Sequence, residues 1–278
     1  TDGDYFSYSL DLSGMMSAMM EDDEEIVDIS NNVDPTATMT YLDESCSNLV
    51  GDCYRLSSTM LMNYTMTHPE GSDYTDDTVT KLTITSITEY GENQAHEEST
   101  TTMDLWLQVD GVDYYLESVE TETTSTTLSS GGEPEEVSVG DSWTTTKEYD
   151  TITTERSRLD GGEWDTETTE SSGSVTTNYN AESSGNVFVD GTSFDSIRIS
   201  SQDIGDSSKT VSYSSEHGIP VKMEEYEENG ELGIIMSLVE YRYANEPGDD
   251  SQLPGFGAMA VTSMLAIATI LTRKKSEQ

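Results

Sequence analysis

Residues 4–12 read DYFSYSLDL. Phe6, Tyr8, Leu10 and Leu12 fall on one side of this stretch and Tyr5, Ser7, Ser9 and Asp11 on the other, the two-residue period of a half-buried strand. The alternation returns in TVTKLTITSI (78–87), DLWLQV (104–109), SFDSIRIS (193–200), GIPVKMEEY (218–226) and GIIMSLVEYRY (233–243). Glycine-bearing turns separate several runs. DGG at 160–162 and ENG at 228–230 are hairpin signals, the second with an Asn-Gly pair suited to a tight primed turn. The body therefore reads as antiparallel all-β. Only residues 14–30, GMMSAMMEDDEEIVDIS, carry a helical pattern, with Met15, Met16, Met19 and Met20 as an apolar stripe. That stripe serves either as core filler or as an adaptable contact surface.

The chain has 278 residues, 12 basic and 55 acidic, for a net charge of −43. Such a charge repels nucleic acid and anionic headgroups, so DNA and RNA are excluded as partners. The recurrence of Tyr, Val, Ile, Leu and Thr at strand spacing places the carboxylates on a folded, strongly hydrated surface rather than in a disordered chain.

Two stretches of the body correspond. GDYF at 3–6 matches GDSW at 140–143, and DCYRLSS at 52–58 matches DSIRISS at 195–201, with Arg55 opposite Arg198. LWLQVDGVDYYLE (105–117) and VSYSSEHGIPVKME (211–224) then each carry a strand and a turn, and the first copy has an insertion at 68–77, HPEGSDYTDD. The expected architecture is two similar antiparallel curved-sheet domains, half-barrel or sandwich-like, at 1–130 and 137–244. Residues 131–136 join them, 245–253 form a polar linker, and a C-terminal hydrophobic helix follows.

The tail explains the location. Phe256 to Thr272 carries no charge over 17 residues, a span of roughly 25 Å as a helix and barely enough to cross a bilayer. Arg273, Lys274 and Lys275 then form a basic stop that stays cytoplasmic by the positive-inside tendency, which puts the body outside. The order Pro254-Gly255-Phe256, apolar segment, basic terminus resembles the PGF-CTERM sorting signal of archaeal surface proteins. The resemblance covers residues 254–275 and implies processing by an archaeosortase-like enzyme, with the tail exchanged for a lipid. A plain membrane anchor is the alternative. Either placement, at the outer face of the cell membrane, calls for an export signal, expected to have been removed before Thr1.

Cys46 and Cys53, the two cysteines, bracket SNLVGD and are expected to pair in an oxidising compartment. Asn63 opens the single glycosylation sequon, NYT. His68, His96 and His217 have no ligand spacing, so neither metal nor cofactor is indicated. No nucleophile elbow, phosphate-binding glycine loop or HExxH pair is present, and His217 beside Glu216 sits at a turn, so no enzymatic activity is expected. The second copy, through VGDSW, GTSFDSIRIS and EHGIPVKME, is similar to periplasmic proteins of the DUF3108 kind and more loosely to lipoprotein-carrier half-barrels. That likeness implies a concave face for an apolar ligand, with Trp143, Phe194, Ile197 and Ile199 lining it or packing the sheet interior. Two functions remain: a surface binding module for an apolar small molecule or envelope partner, or a structural spacer of the envelope.

Overall fold

The computed structural model describes residues 3–22, 26–42, 45–74, 76–132, 134, 136–189, 191–215 and 220–242. Twelve strands follow in order: β1 (Tyr5–Asp11), β2 (Asp28–Leu42), β3 (Cys53–Thr67), β4 (Thr78–Gly91), β5 (Gln94–Val109), β6 (Val112–Gly131), β7 (Ser142–Leu159), β8 (Asp165–Val189), β9 (Thr192–Asp203), β10 (Lys209–Ser215), β11 (Pro220–Tyr226) and β12 (Leu232–Arg242). Each pairs antiparallel with its chain neighbours, and β1 also pairs with β12, closing the barrel.

Closure replaces the expected pair of separate curved sheets. Residues 1–131 supply β1–β6 and the remainder β7–β12, but the ladder runs unbroken from β6 to β7, with Leu116 opposite Leu159 and Thr127 opposite Glu148. Two half-sheets would each leave two edges of unpaired backbone groups; one ring leaves none. The first two corresponding motifs keep step with this ring. GDYF opens β1 and GDSW opens β7, while Arg55 lies on β3 and Arg198 on β9, so each pair stands six strands apart. The third pair falls on β5–β6 and β10–β11, only five apart, and is out of step. Just before β7 the chain is tied to β8: Gly140 N donates to Ala181 O (2.8 Å) and Ala181 N to Asp141 O (2.9 Å).

The wall has two heights. Strands β2–β8 run 14–25 residues, whereas β10, β11 and β1 have 7 each. Apolar side chains fill the interior where the tall wall faces the short one: Phe6, Tyr8 and Leu10 from β1, Met39, Leu56, Met60, Leu82 and Ile84 from β2–β4, and Met223, Met236 and Leu238 from β11 and β12. Residues 165–174 of β8 are exposed throughout, which suits their Thr, Ser and Glu. Outward positions of β5–β7, such as Glu98, Thr100, Thr102, Thr121 and Thr154, bear hydroxyls and carboxylates. A lipid-spanning barrel carries apolar side chains at such outward positions.

The single helix among the described residues, α1 (Ser13–Asp22), is shorter than its sequence pattern. Asp11 Oδ1 accepts the Ser13 amide at its start (3.0 Å), and by Asp28 the chain has entered β2. Met15 and Met16 are buried in the core. Gly14 is required there, because a Cβ at this position would lie 1.7 Å from the Leu232 carbonyl oxygen on β12. Asp110 (φ 50°) and Gly111 (φ 75°) make the two-residue primed turn between β5 and β6. The ENG segment forms a longer turn instead, with Gly230 alone left-handed and Glu227 N bonded to Glu231 O. No helix among the described residues is long and apolar enough to cross a membrane. The tail with Pro254, Gly255, Phe256, Arg273, Lys274 and Lys275 lies outside them, as do Glu216 and His217.

Candidate ligand-binding site

Trp143, Ile197 and Ile199 come together in one small cluster with Val137, Tyr179 and Ala181. Register explains the grouping. Trp143 on β7 is directly opposite Tyr179 on β8, and Ala181 is opposite Ile199 on β9. Trp143 and Tyr179 stack with ring centroids 5.1 Å apart and planes 5° from parallel. Phe194 does not join them. A bulge between Ala181 and Ser183 breaks the alternation of β8, and beyond it Phe194, opposite Val187, packs into the main core and meets Tyr241 edge-on at 5.2 Å.

Two polar atoms are buried without a hydrogen-bond partner here: Trp143 Nε1 in the cluster, and Thr145 Oγ1 two residues farther along β7. Thr145 is only 5 % exposed. Its cross-strand partner Thr177 is satisfied, donating to Asp203 Oδ1. Unpaired buried donors cost about 1–3 kcal/mol each, so this spot holds unused hydrogen-bonding capacity beside a flat aromatic wall. Val137 covers it, held by the turn in which Ser138 N donates to Asp141 Oδ2 (2.8 Å).

Elsewhere the inner face is polar. Ser58 and Ser86 hydroxyls bond at 2.7 Å. Thr124 donates to Glu122 Oε1 (3.2 Å) and pairs with Thr151 (2.9 Å). Burial pushes the half-buried Glu97 carboxyl up to about 7, against a hydrogen bond from Ser86 and helped by the charge of Glu122. His96 on β5 contacts Ser125 (3.0 Å), and His68, just past the end of β3, contacts Thr78 (2.8 Å). Among the described residues no group of three or more His, Cys, Asp or Glu is placed to hold a metal ion.

Cys46 and Cys53 form a disulfide whose loop folds around the buried carboxylate of Glu89. Glu89 accepts the backbone amides of Ser47 (2.7 Å), Asn48 (2.8 Å) and Leu49 (3.2 Å) and the Ser47 hydroxyl (2.9 Å), with Arg55 Nε at 3.5 Å. Burial alone would raise its pKa, but these donors overcome it and hold it below the ordinary value. Asn63 lies on β3, where its Oδ1 accepts from Asn32 (2.9 Å).

A second grouping, on the outside, involves residues the sequence reading did not single out. Trp106 on β5 is directly opposite Tyr115 on β6, and their rings stack at 5.1 Å. Tyr115 donates its hydroxyl to Asp104 (2.8 Å), and Arg158 bonds Glu117. Trp164, in the turn after β7, lies beneath both guanidinium groups, at 4.9 Å from Arg156 and 4.5 Å from Arg158. The signal existed: a two-residue Asp-Gly turn at 110–111 fixes Val109 opposite Val112, and counting outward sets Trp106 opposite Tyr115. No family model matches the chain, and neither a curated protein nor a solved structure matches it.

Proposed function

We propose that the protein is an exported cell-surface β-barrel, held at the outer face of the membrane through its C-terminal segment, and a non-catalytic binding module for an apolar small molecule. The observation that carries this reading is the Trp143–Tyr179 stack with Trp143 Nε1 and Thr145 Oγ1 buried and unpaired beside it. Pockets for small molecules combine an apolar wall with a few convergent polar groups, and this cluster has both. The PGF-like tail and its basic stop supply the anchoring part of the proposal. A processing enzyme of the archaeosortase kind is the implied partner.

The envelope-spacer reading also has an observation behind it: residues 165–174 of β8 are exposed on both faces and carry hydroxyls and carboxylates. Native mass spectrometry of the full-length protein taken from its own membrane separates the two. A binding module carries a stoichiometric small molecule that Thr145→Val and Trp143→Phe release. A spacer shows the bare protein mass in wild type and variants alike.

A further inference from the structure

We infer that the outer face of the β5–β6–β7 end binds a neutral oligosaccharide on the platform formed by Trp106, Tyr115 and Trp164. Trp106 is 41 % exposed although it is a large aromatic on a strand, and its stacking on Tyr115 holds the ring in a fixed plane. Trp164 adds a second flat ring, oriented by the two guanidinium groups above it. Rigid aromatic side chains give contact area at low entropic cost, and their faces receive the C–H-rich side of a sugar ring. Hydroxyl groups of such a ligand need donors and acceptors in the same place. Asp104 and Glu117 offer carboxylate acceptors, and Arg156 offers a planar donor fork with no carboxylate partner among the described residues.

Charge decides the class of ligand. Six carboxylates (Asp104, Asp113, Glu117, Asp160, Glu163 and Asp165) lie on the platform strands or flank Trp164, against Lys81, Arg156 and Arg158, six minus three and a local charge of −3. An anionic glycan or a nucleic acid is repelled by this balance and by the acidic surface around it. A cation meets two guanidinium groups already seated on Trp164. An uncharged, hydroxyl-rich molecule meets neither obstacle. The patch is also small: some six side chains are far short of the roughly 20–30 residues per side of a stable protein interface. The platform is separate from the interior cluster and does not depend on it.

Tryptophan fluorescence and calorimetric titration of the full-length protein with mannohexaose and with chitohexaose test the inference, with a hyaluronan hexasaccharide and an acidic peptide as charged probes. Binding of a neutral hexasaccharide with a shift in emission is expected. Trp106→Ala weakens it about tenfold or more, Arg156→Ala by about threefold, and Trp143→Phe leaves it unchanged. Trp106 is exposed, so unchanged melting of the variant confirms an intact barrel. The inference is overturned if neither neutral sugar binds at millimolar concentration, if binding survives Trp106→Ala combined with Trp164→Ala, or if only the charged probes bind.

Discussion

Glu89 Oε1 lies 2.7 Å from the backbone nitrogen of Ser47, so a buried carboxylate on β4 organises the loop that the Cys46–Cys53 disulfide closes. The glutamate and the disulfide constrain the same eight residues from two directions. Glu89→Ala strips acceptors from several amides at once and is expected to cost about 3 kcal/mol. Cys46→Ser with Cys53→Ser is expected to cost about 2 kcal/mol, as suits a short loop. Because the two share a loop, the combined variant should lose less than the sum of the separate losses, read from urea midpoints at constant slope.

Acidity should stabilise the barrel before it harms it. Glu97 and Glu225 are both pushed up to about 7, in each case by burial first and then by nearby negative charge. Between the ordinary glutamate range and 7 the folded chain binds more protons than the unfolded one, so stability falls as pH rises through that window. Glu89 has the opposite sign: its lowered pKa gives stability that is present above the ordinary range and lost as pH falls through the folded value. The melting temperature should therefore peak near about pH 5, between these windows. Glu97→Gln with Glu225→Gln should flatten the side of the curve between pH 5 and 7 and leave the acid limb in place. A wild-type melting temperature that rises from pH 5 to 7 would contradict the assignment.

Thr145→Val separates stability from binding. It removes a buried hydroxyl that has no partner while keeping the side-chain shape, so the unliganded barrel should be unchanged or up to about 1 kcal/mol more stable. The affinity for the interior ligand should fall about tenfold, because the donor meant for its oxygen is gone. Equilibrium unfolding and titration with the co-purified molecule read the two effects. Parallel losses in both would place Thr145 in an ordinary structural role.

Intact-mass analysis addresses the tail. If the PGF segment is a sorting signal, the mature protein ends near Pro254-Gly255-Phe256 and carries a lipid. Replacing Gly255 and Phe256 should then leave a heavier, unprocessed chain in the membrane. Deleting residues 257–278 should release the body, whose 9 basic and 54 acidic residues before Arg273 give −45, into the medium. Arg273 to Gln278 found on the mature surface protein would leave only the plain membrane anchor.

The strands were legible because their burial is local: Phe6, Tyr8 and Leu10 alternate in sequence and are buried in alternation. The Asp110–Gly111 turn was legible for the same reason, since left-handed backbone is a local demand. Closure was not. Pairing of Tyr5 with Arg242 joins residues at opposite ends of the described chain, and nothing near either one encodes the other. Phe194 is a different case. It stands three residues from Ile197 and five from Ile199, odd separations that put it on the opposite face of β9, so the strand period itself already spoke against a shared wall. The Trp106–Tyr115 pair was within reach by counting from the turn, whereas Trp164 lies in a turn whose shape the sequence leaves open.

The β1–β12 seam has a mechanical consequence. The strands are antiparallel, so Tyr5 and Arg242 sit side by side at one end of it, the Arg242 guanidinium 6.0 Å from the Tyr5 ring. Tension applied between the two chain ends falls on that first pair alone, then on the next, and peels the ring open rung by rung instead of shearing all its hydrogen bonds together. A barrel held by one end is not pulled between its two chain ends, and drag on its body reaches the tethered strand through both neighbours, β1 and β11, at once.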